Sequence, residues 1–179
     1  MNPDNEEIQV IDDELIATAL RETISTKSPM DATTKELSAS ALADMVAEAT
    51  ELSLSFKNVL KIDNLQGFQT LRKLCLDNNI IKSINNLGHL TNLTWLDLSF
   101  NCITKIDGLE KLEKLTDLSL FNNLITDIEG LEQCKILQCL SLGNNNITAL
   151  DSIVRLRCFR NLQLLNQEGN PVSREGEYR

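Results

Sequence analysis

One pattern recurs along this chain at a spacing of 22 residues, Leu-x-x-Leu-x-Leu-x-x-Asn-x-Ile-x-x-Ile-x-x-Leu-x-x-Leu. Its first clean copy is Leu71, Leu74, Leu76, Asn79, Ile81, Ile84, Leu87 and Leu90; the second runs from Leu93 through Leu96, Leu98, Asn101, Ile103, Ile106 and Leu109 to Leu112. The third starts at Leu115 and keeps Leu118, Leu120, Asn123, Ile125, Ile128 and Leu131, with Cys134 in the last apolar slot. A weaker copy precedes these, with Leu52, Leu54, Val59, Ile62, Leu65 and Phe68 in register and Lys57 in place of the asparagine. Another follows from Leu137 through Asn145 to Leu156, and a sixth starts three residues late at Leu162 and reaches Asn170-Pro171-Val172.

This is the leucine-rich repeat signature. One copy supplies a strand with a single apolar face and one layer of isoleucines above it, so it cannot close a core alone. Stacked copies can. The expected fold is therefore an α/β solenoid: a curved parallel sheet with short 3₁₀ or irregular segments on its convex side and a capping helix at its N-terminal end. Asn79, Asn101, Asn123 and Asn145 are read as a structural ladder, because a short amide at each strand end can hydrogen-bond backbone groups of the turn that are otherwise buried without partners.

Three regions are expected. Residues 1–32 form an acidic, partly disordered extension with a short helix near 10–22, for which Asp12 is a suitable N-cap. Residues 33–50 form the capping helix, with Leu37, Leu42, Met45, Val46 and Ala49 at helical spacing. Residues 51–179 hold five to six repeats; after Val172 too few apolar residues remain to build a second cap, so a missing C-terminal cap is expected. The net charge of −9 falls entirely in residues 1–51, which carry 12 acidic side chains against Arg21, Lys27 and Lys35. Two readings of that arm stand, solvation of a flexible segment and docking on a basic partner surface.

In each strand the residues between the leucines point away from the core. The first such row holds Glu51, Lys73, Trp95, Asp117 and Cys139, the second Ser53, Cys75, Asp97, Ser119 and Ser141, the third Ser55, Asp77, Ser99, Phe121 and Gly143. Lys73, Asp77, Trp95, Asp97, Asp117 and Phe121 form the candidate partner-binding set, since exposed aromatics rimmed by charge are the usual makeup of binding hot spots. For Trp95 and Phe121, packing within the curved sheet is the competing reading. Phe56 and Phe100, beside the asparagine turn, are expected to pack inside as a spine.

No catalytic group is expected. His89, the sole histidine, sits in a convex turn without a nucleophile or second ligand at useful spacing. No glycine-rich phosphate loop occurs, and aspartates on separate strands do not converge on one metal. No cofactor, metal or small-molecule substrate is therefore expected. Arg155, Arg157 and Arg160 form one basic cluster, but the concave rows lack the basic residues of a nucleic-acid face. No stretch has the length of a membrane span, the N-terminus lacks a secretory signal, and five cysteines without a Cys-x-x-Cys pair fit a reducing, intracellular compartment.

Particular segments carry a resemblance. Val10-Ile11-Asp12-Asp13-Glu14-Leu15, Phe56-Lys57-Asn58-Val59-Leu60-Lys61-Ile62-Asp63-Asn64-Leu65, Leu76-Asp77-Asn78-Asn79-Ile80-Ile81, Trp95-Leu96-Asp97-Leu98-Ser99-Phe100-Asn101, Leu118-Ser119-Leu120-Phe121-Asn122-Asn123 and Leu140-Ser141-Leu142-Gly143-Asn144-Asn145 are similar to the subunit 3 family of the nexin-dynein regulatory complex of motile cilia. The likeness covers residues 10–16 and most of 52–172, and leaves the Ser/Thr/Ala-rich stretch 24–43 unexplained. It implies a non-enzymatic scaffold in the cytoplasm and cytoskeleton of a ciliary or flagellar axoneme, with dynein regulatory complex subunits, dynein arms or doublet tubulin as partners. That family continues into a cap and a long coiled coil, so contacts made there do not carry over. The repeat class also looks like the phosphatase-1 nuclear regulator, the outer-arm dynein light chain with leucine-rich repeats and the spliceosomal A-prime protein. A phosphatase regulatory subunit and an RNA-associated spliceosomal protein are the alternative readings.

Overall fold

The structure, a computed structural model, describes residues 8–27 and 38–174. Six strands, β1 (Glu51–Ser53), β2 (Lys73–Cys75), β3 (Trp95–Asp97), β4 (Asp117–Ser119), β5 (Cys139–Ser141) and β6 (Leu164–Asn166), pair in sequence order as one parallel sheet. From β1 to β5 each strand meets its neighbour with a register of one repeat, Leu52 opposite Leu74, Leu74 opposite Leu96, Leu96 opposite Leu118 and Leu118 opposite Leu140. Leu140 then faces Leu165. The three extra residues of that step accompany a short helix α3 (Leu150–Arg155) and a 3₁₀ turn at Leu156–Cys158, and a second 3₁₀ turn follows the last strand at Pro171–Arg174.

Elsewhere the convex side is built from tight turns. Leu90 N–H donates to Leu87 O and Leu93 N–H to Leu90 O, and the same two bonds recur at Leu112 and Leu115 and at Cys134 and Leu137. These three-residue steps carry the 3₁₀ hydrogen-bond pattern that short convex segments require. Each repeat sends its leucines and isoleucines into one continuous core, in which Leu54, Leu76, Leu98, Leu120 and Leu142 are all fully buried. Gln167 takes the slot of Leu142 in the last repeat, and its Oε1 is buried without a hydrogen-bond partner among the described residues.

The asparagine rungs tie successive repeats together. Asn101 Nδ2 donates to Leu98 O of its own strand at 3.1 Å and to Leu76 O of the preceding repeat at 2.9 Å, while its Oδ1 accepts from Ile81 N–H at 2.9 Å. Asn79, Asn123, Asn145 and Asn170 make the equivalent bonds. Each rung therefore satisfies backbone of the repeat before it. The first repeat has none before it, which accounts for Lys57 in that slot; its ammonium instead meets Glu22 on the N-terminal helix at 3.3 Å.

That helix, α1 (Asp13–Lys27), starts where Asp12 Oδ1 accepts from Leu15 N–H at 2.8 Å, with Asp13 and Glu14 in its first turn. Ile11 and Ile16, the two positions of a hydrophobic staple, are both buried, together with Ala19 and Leu20. α1 lies against β1. Upstream, Gln9 N–H donates to Asn58 O and pairs in parallel with Val59, so this segment continues the ladder that links Val59, Ile81, Ile103 and Ile125.

The second helix, α2 (Ala39–Glu48), carries no buried residue; Leu42, Met45, Val46 and Ala49 are only half-buried against the core. Val46 lies on Gly67, and the Thr70 hydroxyl donates to Ala47 O and Ala49 O, closing carbonyls that the helix end leaves free. Within the span 33–50 expected to cap the stack, α2 packs against the first convex turn, while the deep apolar cover comes from Ile11 and from Ile16, Ala19 and Leu20 of α1. Residues 33–37, with Leu37, lie outside the described part, as do Asp4, Glu6, Glu7, Asp31 and Glu36 of the acidic arm.

Candidate protein-interaction face

The strands alternate half-buried, buried, half-buried from β1 to β5, so two side chains of each three-residue strand stand on the outward, concave side. Register sets the rows. Glu51, Lys73, Trp95, Asp117, Cys139 and Leu164 run side by side, and so do Ser53, Cys75, Asp97, Ser119, Ser141 and Asn166. Asp77 and Phe121 follow at the strand ends. All six candidate residues are brought to one face, each of them half-buried.

Two hydroxyl and carboxylate clusters occupy the centre. Asp77 accepts from the Ser55 hydroxyl and from Asn78 Nδ2, and Asp97 Oδ1 accepts from the hydroxyl and the N–H of Ser99. The Ser99 and Ser119 hydroxyls are 2.7 Å apart. Asp117 Oδ2 accepts from the Thr116 hydroxyl at 2.7 Å. These donors are all neutral. Among the described residues no cation forms an ion pair with Asp77, Asp97 or Asp117.

Lys73 Nζ stands 4.6 Å over the Trp95 ring. Phe121 lies flat over Gly143, where an added Cβ would meet its ring at 2.9 Å, and it meets Phe100 edge to face at 5.5 Å between centroids. Phe100 is 45 % exposed and Phe56 75 % exposed, which corrects the expected internal spine. The cause is backbone geometry. The residue before each rung sits at positive φ, from 53° to 57° at Phe56, Asn78, Phe100, Asn122 and Asn144 and 82° at Gly169, and this left-handed corner throws the side chain outward.

The face does not favour thiol chemistry. Burial, with help from Asp77 and Asp97, pushes the Cys75 thiol up, and the hydrogen bond to Asp117 pushes Cys139 up, so both hold their protons and are weak nucleophiles. His89 Nε2 lies 2.7 Å from Leu65 O, a bond between successive convex turns. Arg155 pairs with Glu129 at 2.7 Å and Asp127 at 3.8 Å, which turns part of the basic cluster inward to its own chain. Among the described residues no three His, Cys, Asp or Glu side chains gather as a metal site, and no helix is long and apolar enough to cross a membrane.

Phe100, Cys139 and Leu164 extend the face beyond the six candidates. Leu164 is 66 % exposed, and its signal in the sequence was the three-residue offset of the last repeat.

Comparison with known proteins gives a consistent picture. A family model described as Leucine Rich repeats (2 copies) matches residues 91–133. No curated protein matches the chain. Among solved structures, an internalin (inlF) from Listeria monocytogenes str. 4b F2365 is similar with a TM-score of 0.67 and 25% identity, over 88% of this chain and 45% of that one. Internalin C2 (inlC2) from the same strain gives 0.69 and 29%, over 87% and 64%. The Drosophila melanogaster SNF/U2A′ complex gives 0.56 and 28%, over 65% and 71%. The chain spans less than two-thirds of the length of either internalin. With its six-stranded parallel stack, its asparagine rungs and these likenesses, the chain folds as a leucine-rich repeat solenoid.

Proposed function

We propose that this chain is a non-catalytic scaffold that holds a partner protein against the concave face of its sheet. The observation that carries this reading is the arrangement of Trp95, Phe121, Asp77, Asp97 and Asp117 on one outward surface, with the carboxylates free of ion pairs among the described residues. Rigid aromatic anchors ringed by uncompensated charge suit shape-complementary protein binding. The resemblance quoted above gives the setting: a repeat head of the axonemal nexin-dynein regulatory complex, meeting complex subunits, dynein arms or doublet tubulin in a motile cilium. Crosslinking mass spectrometry on axonemes that contain the chain tests it. Links from Lys73, Lys105 or Lys114 to dynein-regulatory or doublet proteins are expected; a chain found soluble and absent from axonemes overturns the ciliary assignment.

One observation favours a second reading. The likeness to the SNF/U2A′ complex supports a spliceosomal scaffold, for which copurification with spliceosomal proteins from nuclear extract, and not with axonemes, is the expected outcome.

A further inference from the structure

Between Trp95 and the last strand the concave face sinks into a trough of about 330 Å³. Trp95, Asp117, Cys139, Ser141 and Leu164 line it, with Trp95 on β3 at one side and Leu164 on β6 at the other. Lys73 reaches the indole from β2, so the trough lies on the opposite side, toward β4. Its walls are apolar, yet it contains one carboxylate whose partners, the Thr116 hydroxyl and the Cys139 thiol, are both neutral.

An occupant must satisfy both features. An aliphatic ligand leaves Asp117 without a counter-charge, and a bare small cation leaves the apolar walls without contact. A side chain with a long methylene stem and a cationic head meets both, since such stems lie along apolar surface while the head stays polar. Between the two cationic side chains, arginine fits better. Its planar guanidinium stacks on an indole face and still directs donors to a carboxylate, which a compact ammonium cannot do at once.

We propose that this trough is the receptor for an arginine side chain on an extended segment of the partner protein, stacked on Trp95 and hydrogen-bonded to Asp117, with its stem against Leu164. The inference rests on the concave-face reading above and adds the chemistry that face selects. Asp107, exposed on the convex side beside Gly108, lies outside both the trough and the concave rows and is the internal control for charge alone.

The test uses the full chain and a displayed library of random linear peptides, followed by synthetic copies of the selected peptides. Trp95 is the only tryptophan, so its emission reports binding directly. Selected peptides are expected to share one arginine, and replacing it by citrulline, or Asp117 by Asn, weakens binding by at least about tenfold. Asp107→Asn removes the same charge and is expected to change binding less than about twofold. Circular dichroism confirms that each variant is folded. Peptides without a shared basic residue, indifference to citrulline, or a library that yields no binder overturns the arginine assignment. If binding instead falls with Phe121→Ala and not with Asp117→Asn, the arginine assignment fails and the concave-face reading stands. If Trp95→Ala, Phe121→Ala and Asp117→Asn all leave every selected peptide bound, both fail.

Discussion

Lys73 Nζ and the Trp95 ring, 4.6 Å apart on strands paired in register, form a cation–π contact on the open side of the sheet. The contact spends no core residue and fixes the indole in one orientation. An aromatic held this way loses little side-chain freedom on binding, which is what makes such residues effective anchors. Lys73 thereby acts through Trp95 as well as through its own charge.

Trp95→Ala and Phe121→Ala are expected to leave the fold intact and to weaken partner binding, by about 2 kcal/mol or more for a hot-spot residue. Trp95 on β3 and Phe121 just past β4 stand off the core, and the buried leucines of those strands are untouched. Lys73→Ala removes only the support of the ring, and its effect on binding is smaller, about 0.5–1 kcal/mol. Titration calorimetry with the partner, beside thermal melts of each variant, checks the order. Equal losses for Lys73 and Trp95 count against the indole as the anchor.

Removal of a rung tests the ladder. Asn101→Ala leaves the buried Ile81 N–H without its acceptor and takes a donor from Leu76 O and Leu98 O. A cost of about 2–4 kcal/mol is expected, since one lost group strands several buried backbone atoms. Lys57→Ala, in the same slot of the first repeat, removes a half-exposed ion pair with Glu22 and is expected to cost less than about 1 kcal/mol. Urea unfolding of the two variants separates the readings; a mild Asn101→Ala contradicts the stapling role.

A second left-handed column runs along the convex corner through Asn64, Asn86, Gly108 and Gly130, with φ of 56°, 56°, 71° and 88°. An added Cβ at Gly130 runs into the Ile106 carbonyl oxygen at 1.9 Å. Gly130→Ala is therefore expected to lower the unfolding free energy by at least about 1–3 kcal/mol, the range for a residue forced into strained backbone. Asn86→Gly keeps the conformation and loses one bond, Nδ2 to Ile62 O at 2.9 Å, at about 0.5–1.5 kcal/mol. A Gly130→Ala protein as stable as wild type refutes the corner's steric role.

Repeat period, strand rows and rungs were legible because each rests on a residue type at fixed spacing: Leu74 faces Leu96 for the same reason that each stands two residues before a buried leucine, Leu76 and Leu98. Features that break the period were not. Phe56 and Phe100 look apolar and adjacent to the core, but a left-handed backbone, invisible in the residue type, turns them outward. The deep cap came from α1 because Ile11, Ile16, Ala19 and Leu20 converge on β1, a tertiary fact. The trough needed Leu164 beside Cys139, and only the helical detour of α3 sets that pairing.

Stability at alkaline pH should report on the one cysteine in a leucine slot. Cys134 is fully buried, and burial, with Glu110 and Glu132 nearby, pushes its thiol up to about 11 from an ordinary 9.0. A raised folded value means that the folded state holds the proton more tightly than the unfolded chain. The contribution is complete below the ordinary value and is lost as pH rises through the folded one. Unfolding free energy is thus expected to fall between about pH 9 and about pH 11 more steeply in wild type than in Cys134→Val, which keeps similar volume and has no proton to lose. Denaturant titrations across that window measure both slopes, and parallel slopes defeat the assignment. Under native conditions a thiol reagent is expected to label exposed Cys158 first and Cys134 last.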